Sequence, residues 1–237
     1  MTVTFNTHGN QKQKEAARAW VDTGITDIVY GGGKGGGKTF LGCSLIFGDA
    51  LMYPETYYFI ARKELNDLRR FTIPSIYEVF NEWGLDQKYL KWHGQDNFFE
   101  LPNGSKVFLL AAKYLPGDPE YQRFGSMQMT RGWIEEAGEF APAAKSNLQA
   151  SIGRWKNDVY KLTPKLLQTC NPSKNYLYID YYKPFKAGKL EDWKKFIQAL
   201  PQDNKKLPDG YVENLHRTLS KKDKSRLLLG NWEYEDD

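Results

Sequence analysis

Short continuous apolar runs alternate with amphipathic stretches along most of the chain. Thr26-Asp27-Ile28-Val29-Tyr30 and Thr56-Tyr57-Tyr58-Phe59-Ile60-Ala61 have strand length and almost no polar interruption, the pattern of parallel strands covered on both faces. Between them, Phe40 to Phe47 forms an apolar segment suited to a buried helix. Gln11 to Val21 combines helix-favouring Lys12, Glu15, Ala16, Ala17, Arg18 and Ala19 with apolar positions on one side, which predicts a helix leading into the first strand. Ile73, Ile76, Val79, Phe80 and Trp83 recur at helical spacing, and Gly84 follows where such a helix would stop. Pro102-Asn103-Gly104-Ser105 separates two apolar runs, Asn97 to Leu101 and Lys106 to Leu110, and predicts a hairpin. Gly132-Trp133-Ile134 and Leu166 to Cys170 supply further short strands on either side of an alanine-rich helical stretch, Ala141 to Ile152. The alternation predicts a single α/β domain over residues 1–237. It should be a three-layer sandwich with a mainly parallel central sheet and an added antiparallel hairpin. Its core should lie at about 25–172, with 173–237 as a small C-terminal lid and linker region.

Composition narrows this picture only a little. A chain of 237 residues that is 41% hydrophobic and 15% aromatic has ample material for a core. The net charge of +4, from 33 basic and 29 acidic residues, selects no partner by itself. Lys183 to Arg226 carries twice as many Lys and Arg as Asp and Glu, and a solvated lysine-rich surface explains that better than a DNA-contact surface. Cys43 and Cys170 lie far apart in apolar segments, with neither metal nor disulfide spacing, which fits a reducing cytoplasm. Met1 to His8 lacks a basic head followed by an apolar stretch, and no run approaches membrane-spanning length, so a soluble, unexported protein with no membrane partner is expected.

Candidate chemistry concentrates directly after the first strand. Gly32-Gly33-Lys34-Gly35-Gly36-Gly37-Lys38-Thr39 satisfies G-x-x-x-x-G-K-[ST], the phosphate loop or Walker A motif of P-loop NTPases. Curled backbone N–H groups form an anion cradle only where side chains do not obstruct the curl, so Gly32, Gly33, Gly35, Gly36 and Gly37 suit the loop. Lys38 would bring its charge to the β- and γ-phosphates of ATP. Thr39 would offer its hydroxyl to Mg²⁺, at the positive end of the helix that begins there.

A phosphate loop needs a carboxylate on the magnesium side and a group to polarise the attacking water. Trp133-Ile134-Glu135-Glu136-Ala137 is the candidate Walker B segment, because acids directly after a strand emerge at the edge where open α/β sheets bind ligands. Glu135 would serve the magnesium and Glu136 would act on the water. Thr169-Cys170-Asn171-Pro172 closes a strand with a polar tip, placing Thr169 and Asn171 to sense the γ-phosphate and relay its loss.

In this order the three elements resemble the ATPase domain of the large terminase subunit of tailed bacteriophages. The family's loop typically reads Gly-Gly-Arg-Gly-Ser-Gly-Lys-Ser/Thr, so Lys34 stands where arginine is usual. Trp133 to Ala137 is similar to the Trp-Ile-acid-Glu-Ala segment, Thr169 to Pro172 to the coupling motif, and Arg226 to Trp232 to the segment that closes the ATPase domain. The resemblance implies a Gln reading the adenine edge, here Gln13 with Gln11 as alternative. It also implies an arginine acting during hydrolysis, often from a neighbouring subunit, here Arg123 with Arg131 and Arg62 as alternatives. It further implies ATP and Mg²⁺ as cofactors, and a homo-oligomeric ring at the procapsid portal in the host cell cytoplasm. Double-stranded DNA, the portal protein and the small terminase subunit would be the partners. The family's C-terminal nuclease is expected to be absent, so the chain should not cut DNA. Another P-loop ATPase, such as a helicase or nucleotide kinase, and a nucleotide-dependent assembly module with little turnover are the competing readings.

Overall fold

The structure, a computed structural model, describes residues 1–235. Eight strands form one sheet: β1 (Asp27–Gly32), β2 (Tyr57–Arg62), β3 (Lys91–His93), β4 (Phe98–Glu100), β5 (Lys106–Ala111), β6 (Arg131–Ile134), β7 (Leu166–Cys170) and β8 (Lys194–Ala199). Their order is β3-β4-β5-β2-β6-β7-β1-β8. From β5 to β8 every pairing is parallel, whereas β4 pairs antiparallel with β5 across the Asn103-Gly104 turn and with β3 on its other side. The expected three-layer α/β architecture with an added antiparallel hairpin is thus observed.

Period-2 alternation sorts the strand side chains into two cores. Ile28 and Tyr30 of β1, Tyr58 and Ile60 of β2, and Trp133 of β6 join one apolar cluster with α1 (Gln11–Val21), α2 (Lys38–Met52) and the Ile73–Glu82 helix. Val29, Phe59, Ala61 and Ile134 point the other way, onto Ala144 and Leu148 of the Pro142–Ser151 helix and onto Leu177, Tyr181 and Trp232. Helix α2 approaches the sheet closely because Gly42 offers no Cβ; one placed there would lie 2.3 Å from the Trp133 indole. Among the described residues no helix is long and apolar enough to cross a membrane.

The sheet extends beyond the expected core boundary. Strand β8 comes from the region read as lid, and it pairs with β1 over Asp27–Gly32 in parallel register. Its sequence, Lys194-Lys195-Phe196-Ile197-Gln198-Ala199, hides this role because an edge strand is only half covered and tolerates lysines where solvent reaches it. The closing segment is also core. Trp232 is fully buried, stacks on Tyr182 at 5.3 Å between ring centroids and meets Phe196 edge-on at 5.5 Å. Replacing Trp232 by Ala is therefore expected to cost about 3–5 kcal/mol in urea denaturation. A loss below about 1 kcal/mol, within the range of ordinary surface substitutions, would mean that the closing segment lies outside the cooperative core.

Candidate functional site

Three neighbouring parallel strands, β6, β7 and β1, end at the same edge of the sheet, so the segments leaving them converge. From β1 the chain enters the phosphate loop and then α2, whose N-cap, Gly37, has φ +77°. Gly32 and Gly35 also take positive φ, but Gly33 and Gly36 do not. A Cβ on Gly33 would lie 2.9 Å from the Leu227 carbonyl oxygen, whereas Gly36 has ordinary room for one. The five glycines expected to permit the curl therefore act for different reasons, and Gly36 shows no steric need.

The loop is braced from behind by the chain's last third. Gly33 N–H donates to Ala199 O at 2.7 Å and Lys34 N–H to Leu227 O at 2.8 Å. The Asn204 amide donates to Gly35 O at 2.7 Å. Tyr30 OH donates to Gly36 O at 3.0 Å from inside. These bonds engage the amides of Gly33 and Lys34 and the carbonyls of Gly35 and Gly36, so an anion cradle here falls to the amides from Gly35 onward.

Lys38 Nζ donates to Gly33 O at 2.6 Å and to Asn171 Oδ1 at 2.9 Å, across from β1 to the end of β7. Burial holds its pKa below the usual lysine value, opposed chiefly by the negative charge of Glu136. Thr39 Oγ1 donates to Glu135 Oε1 at 2.9 Å, and the hydroxyl of Thr72 donates to Glu135 Oε2. Glu135 is only 4% exposed, and burial raises its pKa against the opposing effects of the Thr72 hydroxyl, the Arg62 charge and the Thr39 hydroxyl. Glu136 follows in left-handed backbone, φ +53°, which turns the chain so that the two adjacent acids part company: Glu135 goes inward and Glu136 lines the open pocket.

That pocket, about 460 Å³, is lined by Lys34 to Phe40 together with Glu136, Asn171, Asn204, Arg226 and Leu227. It meets a second cavity of about 320 Å³ at Gly37, Phe40 and Asn204, where Gln13 sits with His8, Glu78, Glu82 and Lys206. Gln13 is held there by its amide donating to Gly37 O at 3.0 Å and by the Asn10 cap of α1, whereas Gln11 is exposed.

Other expected residues lie elsewhere. Thr169 is buried within the sheet, where its hydroxyl accepts from the Trp133 indole at 2.9 Å, linking β7 to β6 rather than facing the pocket. Arg123 is occupied by Asp118 at 2.7 Å and the Lys113 carbonyl at 2.6 Å, and it does not line the pocket of its own chain. Arg131 is a structural residue, paired with Asp49 at 2.7 Å beneath Trp20. Arg62 stands over the Phe71 ring at 5.6 Å, with its positive field on Glu135. The pocket's own arginine is Arg226, which the sequence reading assigned only to the closing segment; its Nε donates to Pro172 O at 2.6 Å. Its one signal in the sequence was its place at the head of the closing segment Arg226 to Trp232.

The donor set suits a nucleotide with its magnesium. Among the described residues no group of three or more His, Cys, Asp or Glu could hold a metal ion, so a cation here depends on phosphate oxygens and water beside one hydroxyl and one carboxylate, as Mg²⁺ commonly does.

A family model for the N-terminal part of the terminase large subunit, T4-like-virus type, matches residues 29–237. The chain belongs to this large-terminase family. Solved structures agree on the fold. The large terminase of a thermophilic bacteriophage, in complex with ADP, superposes with a TM-score of 0.76 at 18% identity over 94% of this chain and 53% of that one. The large terminase of bacteriophage HK97 gives 0.59 at 13% identity, over 89% of this chain and 44% of that one. The ATPase domain of the Thermus phage P74-26 large terminase gives 0.56 at 7% identity, over 87% and 88%. This terminase chain spans about half the length of the ADP-bound relative. No curated protein sequence matches it.

Gly37 offers a steric test of the site. A Cβ there would lie 2.5 Å from Gln13 Nε2 on left-handed backbone. Gly37→Ala should cost about 1–2 kcal/mol of stability by thermal or urea unfolding, and it should weaken nucleotide binding by displacing Gln13. An unchanged affinity for ADP would show that the loop can adopt another curl.

Proposed function

We propose that this chain is the ATPase domain of a viral DNA-packaging motor, hydrolysing ATP to drive double-stranded DNA into a preformed capsid. The observation that carries the proposal is the convergence of Lys38, Thr39, Glu135, Glu136 and Asn171 at one sheet edge in a chain of the large-terminase family.

In this reading the phosphate-loop amides and Lys38 take the β- and γ-phosphates, and Gln13 meets the adenine edge in the adjoining cavity. Thr39 and Glu135 would hold Mg²⁺, which neutralises charge on the phosphate oxygens. Glu136, facing the open pocket, accepts the proton of the attacking water. Lys34 and Arg226 bring positive charge to the same pocket, so Arg226 acts within its own subunit while Arg123 is left to reach a neighbour in a homo-oligomeric ring. Asn171 touches Lys38 directly and Arg226 holds the adjoining Pro172 carbonyl, so loss of the γ-phosphate is felt at the end of β7. Thr169 carries that change to Trp133. The portal protein and the small terminase subunit are the proposed protein partners, in the host cytoplasm at the procapsid portal.

Glu136→Gln tests the reading. Hydrolysis should fall by about 10²–10⁴-fold while nucleotide affinity is kept. A nucleotide-dependent assembly module would be little changed by this substitution, and a helicase would separate strands in a duplex-unwinding assay. Arg226→Ala should lower kcat with little effect on ADP affinity; a loss of binding alone would make Arg226 a brace for the closing segment.

A further inference from the structure

Glu135 accepts from a second hydroxyl besides that of Thr39. Thr72 is fully buried, belongs to none of the three motifs, and yet donates to the metal-side carboxylate. It comes from the far side of β2, in the turn Leu68–Thr72 that joins Arg62 to the Ile73–Glu82 helix.

The local backbone is unusual in a way that serves this contact. Leu68–Thr72 is a π-helical turn, closed by Ile73 N–H donating to Leu68 O. Pro74 explains it. In a regular α-helix residue 74 would donate to the Arg70 carbonyl, but proline has no N–H and its ring crowds that carbonyl, so the helix widens just upstream. Tyr178–Tyr182, a second π turn, sits at the same offset before Pro184. Widening admits one extra residue, and each residue turns a helix by about 100°, so the π turn decides which side chain faces β6.

A threonine or serine inside a helix usually returns its hydroxyl to a carbonyl one turn back. Ser75 does so to Phe71 O at 3.2 Å, and Thr218 to Asn214 O at 2.8 Å. Thr72 donates across to Glu135 instead. The two oxygens of Glu135 are thereby divided: Oε2 is tied to Thr72, and Oε1 faces Thr39 on the phosphate loop. Thr39 belongs to the ligand-binding side. Thr72 stands on the opposite wall, in a segment whose Leu68 and Ile76 belong to the apolar core.

We infer that Thr72 is a positioning residue for the metal-side carboxylate: it fixes the orientation of Glu135 so that Oε1 is presented to Thr39 and to the cation of a bound metal–nucleotide complex. The inference rests on reading Thr39 and Glu135 as the metal side of the site. Hydrogen bonds behind a metal-binding carboxylate set its orientation, and their loss lowers metal affinity by about 10- to 100-fold.

Thr72→Val keeps the branched shape and removes the hydroxyl. With ATP-γ-S bound to this chain, Mn²⁺ uptake followed by electron paramagnetic resonance should need about 10- to 100-fold more metal for half-saturation. Affinity for ADP in EDTA should be unchanged, and Thr72→Ser should restore the metal titration. Should the valine variant fail to fold, Thr72→Ala removes the same hydroxyl with less bulk and carries the same expectation. A valine or alanine titration that overlays the wild type overturns the inference, as does an equal loss of metal-free ADP binding, which would mean a collapsed pocket. Thr72-dependent Mn²⁺ uptake in an assembled ring that does not hydrolyse ATP removes the motor reading and leaves this inference standing. Hydrolysis with metal uptake indifferent to Thr72 does the reverse.

Discussion

The backbone ladder that holds β1 between β7 and β8 runs along the whole strand and continues one residue further, where Gly33 N–H reaches Ala199 O at 2.7 Å. Every feature of the nucleotide edge depends on that extension. It sets where the phosphate loop leaves the sheet, and Leu227 and Asn204 then brace the next turn of backbone through Lys34 and Gly35. With its rear carbonyls and amides satisfied by neighbours, the loop can hold its remaining amides toward a ligand without leaving buried, unpaired groups behind. The last third of the chain is thus part of the scaffold of the loop and not only a cover over it.

Charge at this edge is organised by burial. Glu135 and Glu136 are adjacent in sequence but differ in environment, because left-handed backbone at Glu136 sends one carboxylate inward and the other into the pocket. The inner one is tied by two threonine hydroxyls and feels the field of Arg62. The outer one has no hydrogen bond to its carboxylate among the described residues and faces Lys38 across the pocket, where its charge opposes the effect of burial on that lysine. Two neighbouring acids thereby occupy distinct environments. Lys38, bonded to Asn171, joins the phosphate loop to the end of β7.

The strands, the hairpin and the phosphate loop were legible in the sequence because each is a local pattern: unbroken apolar runs, Asn103-Gly104 between two of them, and glycines before Lys38-Thr39. Strands β3 and β8 were not: β3 is only three residues long, and the lysines of β8 at an exposed sheet edge read as surface. Thr169 and Asn171 were proposed as a pair, but their side chains go to different environments, one to Trp133 and one to Lys38. Arg123 looked available in sequence, yet Asp118 and the Lys113 carbonyl hold it away from the pocket of its own chain. Thr72 had no motif to mark it and Arg226 was marked only as the start of the closing segment, because each reaches the site from an element distant in sequence.

By itself, then, the sequence determined the alternation of strands and helices, the anion-binding loop and the family that these imply, all properties of neighbouring residues and their periodicity. The tertiary structure alone decided which polar groups meet. Hydrogen bonds such as Lys38 to Asn171, Thr72 to Glu135 and Arg226 to Pro172 join residues that only sheet order and helix packing bring within about 3 Å, the reach of a hydrogen bond.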